Sequence, residues 1–201
     1  LVGLVALYFI ISASTSRTIL ADEEKNLTHK FNMMNKVVFD DMNDLVDELK
    51  NLGKTPIDID INSGVRTQRY LQGLVSTLDV DNVALLDSKG KALYATSNSI
   101  FESVSERQAI ASAMADKPIA VVTAVHEMVI ITTAGKVSTE NGDNCILVLQ
   151  ELISSDKFLG NYAQLLDCDL TIFVGDKRVA TTMTDISGSK SDRDTSSARR
   201  T

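Results

Sequence analysis

Tryptophan is absent from this chain, and proline, cysteine and histidine occur twice each. With aromatics at 5% there is no stacking surface of the kind that holds carbohydrate or nucleic-acid bases. The formal charge of −7, with no basic stripe, argues against DNA or RNA as a partner but leaves room for one local basic pocket. Cys145 and Cys168 are too few for a disulfide framework and lack metal-ligand spacing. His29 and His126 stand far apart, so no metal site is expected. Whether the two cysteines pair stays open; Cys145 begins an apolar run, where a free thiol serves as a small hydrophobe. There is also no nucleophile elbow, no Gly-rich phosphate loop and no His-Glu-x-x-His. Asp40-Asp41, Asp44 and Asp47-Glu48 recur at helical spacing and read as a solvated face. No catalytic residues and no cofactor are expected.

What the chain does have is apolar residues in patterned runs, 44% of 201 positions, enough for one large domain or one and a half modest ones. Leu1 to Ile11 is almost wholly apolar and is followed by small residues to Ser16. Residues 1–16 read as the outer part of a transmembrane helix. The rivals are a signal-peptide core with a small-residue cleavage site and a buried helix of a soluble protein. Residues 17–53 read as a long stalk helix. Leu27, Phe31, Met34, Val38, Met42, Leu45, Leu49 and Leu52 form one face, and Gly53 is the expected stop. Its heptad-like seam suits a homodimer.

A second helix is expected from Asn62 to Leu78, with Val65, Tyr70, Leu71, Leu74, Val75 and Leu78 inward. Residues 80–97 read as a hairpin around Asp87-Ser88-Lys89-Gly90. A short helix follows from Ser105 to Ala115, then strand character over Ile119–Val125 and Met128–Thr133. Ala134 to Asn144 reads as a turn-rich connection, Cys145 to Ile153 as a central strand, and Ser154 to Leu166 as a helix capped by Ser154 or Ser155. Leu170 to Thr182 reads as a hairpin turning on Gly175-Asp176-Lys177. Ser187 to Thr201 has a single apolar residue and is expected to be mobile. Hairpins with helices gathered to one side indicate an antiparallel α+β layer.

The run Thr171-Ile172-Phe173-Val174-Gly175-Asp176-Lys177-Arg178-Val179-Ala180-Thr181-Thr182 closely resembles a segment in the extracytoplasmic sensor region of bacterial methyl-accepting chemotaxis proteins. The family's following G-K-R-x-x-G-T segment is absent or displaced here, where Gly188-Ser189-Lys190 leads into a polar tract. The order of elements also resembles the Cache sensor fold, a PAS-like antiparallel sheet on a long membrane-attached helix. The resemblance implies a membrane-distal Cache module at 54–166 and the start of a membrane-proximal module at 167–201. It implies a chemoreceptor of the inner membrane, with this region extracytoplasmic, that binds a small molecule and signals across the bilayer. A sensor region of a histidine kinase or cyclic-nucleotide enzyme, or an exported binding protein, are the alternatives.

Pockets in such folds lie between the sheet and what covers it. The candidate ligand-binding residues are therefore Tyr94 on the hairpin, Arg107 on the covering helix, and His126 and Thr132 on the next strands. Arg107 offers a bidentate donor to an organic anion, and His126 a pH-sensitive contact. Amino-acid-binding members of the wider family use a pattern that includes Trp, which this chain lacks.

Overall fold

The computed structural model describes residues 8–9, 20–97, 106–125 and 128–183. Residues 1–16, expected as a membrane helix, lie outside that set except for β1 (Tyr8–Phe9), a short extended segment. Among the described residues no helix is long and apolar enough to cross a membrane. The polar tract from Ser187 to Thr201 is also outside the description. The chain falls into two compact units, one made of Val38–Val125 and Val129–Leu152, the other of Leu1–Val37, His126–Met128 and Ile153–Thr201.

Helix α1 (Leu20–Leu52) runs 33 residues and follows the expected face. Met34, Val38, Leu45 and Leu49 are buried along it, while Phe39 on another side is 61% exposed. Gly53 closes the helix, its N–H donating to the Leu49 carbonyl at 2.9 Å. It does so without the left-handed backbone of a glycine stop. A methyl group there would stand 2.8 Å from the Lys136 carbonyl oxygen, so close backbone approach is what requires glycine.

In the larger unit, helix α2 (Gly64–Leu78) buries Thr67, Leu71 and Leu74, one residue per turn on one stripe. Val65, expected inward, is 73% exposed. Thr67 takes the inner position because its hydroxyl donates to the Asp60 carbonyl at 2.6 Å, which satisfies a polar group that burial would otherwise penalise. The strands are β2 (Asn82–Asp87), β3 (Ala92–Ala95), β4 (Ala120–Val125), β5 (Met128–Ser138) and β6 (Asn144–Leu152), with helix α3 (Glu106–Met114) between β3 and β4. They form a five-stranded sheet in the order β3-β2-β6-β5-β4. Counted within the sheet this is 2-1-5-4-3: the first and last strands lie side by side at the centre, and the chain crosses from one edge to the other through α3. The sheet is antiparallel and, with the helices beside it, makes the larger unit α+β, as expected. Residues 80–97 and 145–152 share it.

β5 runs further than its composition suggests, through Ala134, Gly135 and Lys136 to Ser138. Two small residues in a row weaken strand propensity, yet each has a packing reason: Ala134 lies in the cluster under α3. A methyl at Gly135 would come 3.3 Å from Leu49 Cβ, so the strand is thinned where α1 lies on it. The ladder with β6, from Ile130–Leu152 to Ser138–Asn144, overrides the local preference.

In the smaller unit, helix α4 (Asp156–Leu166) starts at Ser155, whose hydroxyl oxygen accepts from the Phe158 N–H at 3.1 Å, with Asp156 in the first turn to complement the dipole. The Phe158 and Tyr162 rings pack against each other in a tilted pair, centroids 4.6 Å apart. Strands β7 (Thr171–Val174) and β8 (Lys177–Thr181) form the expected hairpin, and β1 pairs with β7. Gly175 holds φ +65° at the first turn position while Asp176 does not turn left-handed, the pattern of a II′ turn. Leu170, Ile172 and Val179 are buried, and the Thr171 and Thr181 hydroxyls meet at 2.8 Å in the interior.

Candidate functional site

One face of the large sheet is divided into an apolar half and a polar half. The apolar half comprises Ala84 and Leu86 of β2, Ala134 of β5 and Ile146 and Val148 of β6, packed under Ala109 and Ala113 of α3. The alanines on both sides let the helix sit close to the strands. Side chains two residues apart along a strand share a face. Two positions from Ala84, Val148 and Ala134 therefore come Asn82, Gln150 and Thr132, on the same face, and the register sets Asn82 and Thr132 on either side of Gln150.

All three are fully buried. They are joined in one chain of hydrogen bonds. Asn82 Nδ2 donates to Gln150 Oε1 at 2.7 Å, and Gln150 Nε2 donates to Thr132 Oγ1 at 3.2 Å. At the other end Asn82 Oδ1 accepts from the Thr96 hydroxyl at 2.8 Å and from the Ser97 N–H at 2.7 Å. Thr96 Oγ1 in turn accepts from the Val83 N–H at 2.9 Å. The row crosses the three central strands and contains no ionisable group, so it offers neutral donors and acceptors whose state does not change with pH. Thr132 accepts from Gln150, and among the described residues its own hydroxyl proton is given to no acceptor.

Thr132, one of the candidates, lies on an interior strand, on the face of the sheet that α3 packs against. Tyr94 is not beside it. Its register partner is Leu85, which points to the opposite face, and its hydroxyl donates to the Ile61 carbonyl at 3.0 Å. Arg107 is exposed on α3. His126 lies outside the described residues. Asn82 and Gln150 were not singled out from the sequence. Their signal was present: each is a polar side chain at the same parity as the apolar residues Ala84 and Leu86 of β2 or Ile146 and Val148 of β6.

Both cysteines are free thiols. Burial, with Asp143 and Asp87 adding, pushes the buried Cys145 thiol up. Burial also raises Cys168, against the opposing pull of Lys30. Neither is poised as a thiolate nucleophile. Among the described residues no group of three or more His, Cys, Asp or Glu side chains is placed to hold a metal ion.

No protein-family model and no curated protein matches this chain. Solved structures do. The sensor domain of the zinc-responsive histidine kinase CzcS from Pseudomonas aeruginosa is 17% identical over a match covering 69% of this chain and 99% of that one, with a TM-score of 0.33. The sensory domain of the Campylobacter jejuni chemoreceptor Tlp3 (CcmL), solved with isoleucine bound, is 12% identical, covering 82% and 71%, with a TM-score of 0.46. Both are sensor domains.

Proposed function

We propose that this chain is the extracytoplasmic ligand-sensing region of a transmembrane bacterial chemoreceptor. It binds a small molecule and has no catalytic step of its own. The observation that carries the reading is the 2-1-5-4-3 antiparallel sheet behind a long N-terminal helix. The chemotaxis-receptor-like run from Thr171 to Thr182 supports it, and that run folds as one hairpin. The site we propose is the face carrying Asn82, Gln150 and Thr132. There the Thr132 hydroxyl donates to the ligand, and Arg107 of α3 pairs with it if it is an organic anion. α1 carries the displacement toward the membrane, and a second copy of the chain pairs along it. The same input module would serve a histidine kinase, a reading favoured by the generality of the sheet rather than by any one residue.

The test is a thermal-shift screen of small acids, amines and purines against the full chain, followed by calorimetry. A ligand that binds only the folded state raises its melting temperature. Thr132→Val should weaken that ligand by about tenfold, the value of one hydrogen bond of about 1.4 kcal/mol. Unchanged affinity in the variant removes this face from the proposal. The absence of any stabilising compound across the three classes counts against small-molecule sensing. Fusion to the signalling half of a known chemoreceptor separates the outputs: a ligand-dependent swimming response supports the chemoreceptor reading.

A further inference from the structure

A second place in the larger unit has open hydrogen-bonding capacity and an excess of positive charge. α2 and the segment before it enclose a groove of about 450 Å³ lined by Asp58, Ser63, Val65, Arg66, Arg69 and Tyr70. Arg66 is committed: its guanidinium bonds the Asp58 carboxylate, and the Glu140 carboxylate lies 3.9 Å away. Arg69, one turn on, has no ion pair or hydrogen bond among the described residues. The Ser63 hydroxyl, at the N-cap of α2, makes no capping bond. Tyr70 is half-buried, and burial, then the Asp58 charge, pushes its phenol up, so it stays a protonated donor through the neutral range.

We propose that this groove binds a small monocarboxylate, with the Arg69 guanidinium as its principal partner. A planar fork of N–H donors matches a carboxylate at two points. The Ser63 and Tyr70 hydroxyls supply further donors on the same lining. The charge of the lining selects among anions. Among the lining residues Asp58 cancels Arg66 and leaves Arg69 at +1, and Glu140 beside Arg66 brings the wider surround to zero, so a monoanion is accepted at Arg69 while Asp58 and Glu140 repel a dianion. Val65, 73% exposed, gives the rim an apolar contact for a short alkyl or aryl group. None of the residues of the Asn82–Gln150–Thr132 row lines the groove, so the inference stands whether or not that row contacts a sensed ligand.

Calorimetry on the full chain at pH 7 and fixed ionic strength tests it, with propionate and benzoate as probes, chloride as the matched control and inorganic phosphate as the more highly charged anion. Both acids should bind, and benzoate more tightly. Arg69→Gln should weaken them by about ten- to a hundredfold, the range for a lost charged hydrogen bond. Arg69→Lys, which keeps the charge and loses the fork, should fall between, and Tyr70→Phe should weaken binding by a smaller factor. The melting temperature without ligand should not move in Arg69→Gln, because Arg69 holds nothing in the fold. Three results would overturn the proposal: affinity in Arg69→Gln within twofold of the parent, phosphate binding as tightly as the acids, or no heat with either acid at millimolar concentration.

Discussion

Asn82 and Gln150 face each other across β2 and β6, amide to amide at 2.7 Å, both fully buried at the centre of the sheet. Each has made the other necessary. Replacing one side chain by an apolar group of similar size leaves a buried amide without its partner, which costs about 1–3 kcal/mol. Asn82→Leu and Gln150→Met should each lower the unfolding free energy by that amount, read as a lower urea midpoint with little change in slope. The double variant should lose less than the sum. Additivity within about 0.5 kcal/mol would show that the two amides act independently.

Three glycines should respond in opposite directions to the same substitution. Gly53→Ala sets a methyl 2.8 Å from the Lys136 carbonyl oxygen, a backbone atom that cannot swing aside, and should cost about 1–3 kcal/mol. Gly135→Ala meets Leu49 Cβ at 3.3 Å and should cost less, since the Leu49 side chain can give slightly. Gly73 lies inside α2 with nothing within 4 Å of an added methyl. Gly73→Ala should therefore stabilise the protein by about 0.5–1 kcal/mol through helix propensity alone. Thermal unfolding of the three variants side by side checks the ordering.

The Asp87 carboxylate organises the β2–β3 turn, accepting from the Lys89 and Lys91 N–H groups at 2.9 Å each. The Lys91 bond, then the Lys89 bond and the two lysine charges, hold its pKa below the ordinary carboxylate range. A folded-state pKa below the unfolded one means that the unfolded chain binds the proton first as pH falls. The contribution is thus fully present above the unfolded pKa of about 4 and is lost as pH drops through the depressed folded value. Asp87→Asn keeps an acceptor oxygen but cannot titrate, so its stability should fall less steeply with acid than the parent's. Parallel acid limbs in the two proteins would show that Asp87 is not a source of the slope.

The sheet was legible because its strands are apolar runs bounded by turn residues, and the hairpin ending at Ser97 and the strand from Asn144 to Leu152 needed nothing else. The second half of β5 was not, because Gly135 is small for the sake of α1 and Ala134 for the sake of α3, partners that local propensity does not see. The inner stripe of α2 was shifted for a related reason. Val65 looked buried by type, but Thr67 is the residue with a carbonyl to bond. In the candidate site, Thr132 was legible as a polar residue on an interior strand. Gln150 was hidden by its neighbours, since two polar letters near the end of Cys145–Ile153 hardly alter an apolar run, and its meaning appears only when the register sets it between Asn82 and Thr132.

Helix endings show a local choice that pattern alone does not favour. α2, α3 and α4 are followed by Asp79, Asp116 and Asp167, with φ of 55°, 55° and 49°, where glycine is the usual occupant. A left-handed backbone costs an L-residue about 1–2 kcal/mol, somewhat less for aspartate. A negative charge at a helix C-terminus also opposes the dipole. Asp167 is the clearest place to measure this. Its N–H bonds the Ala163 and Gln164 carbonyls, and its own carbonyl accepts from Lys30 Nζ at 2.8 Å. The Asp167 groups in these bonds are backbone N–H and C=O, which every residue but proline supplies. Asp167→Gly should stabilise the protein by about 0.5–1 kcal/mol, after the extra chain entropy of glycine is subtracted. Asp167→Val adds a branched Cβ to the same backbone and should destabilise by about 1–2 kcal/mol. Asp116→Gly should gain less than Asp167→Gly, because it also loses the exposed pair with Lys136 at 2.9 Å, worth at most about 1 kcal/mol. Chemical denaturation gives the order directly. If Asp167→Val proves as stable as the parent, α4 does not end in the left-handed turn described for it.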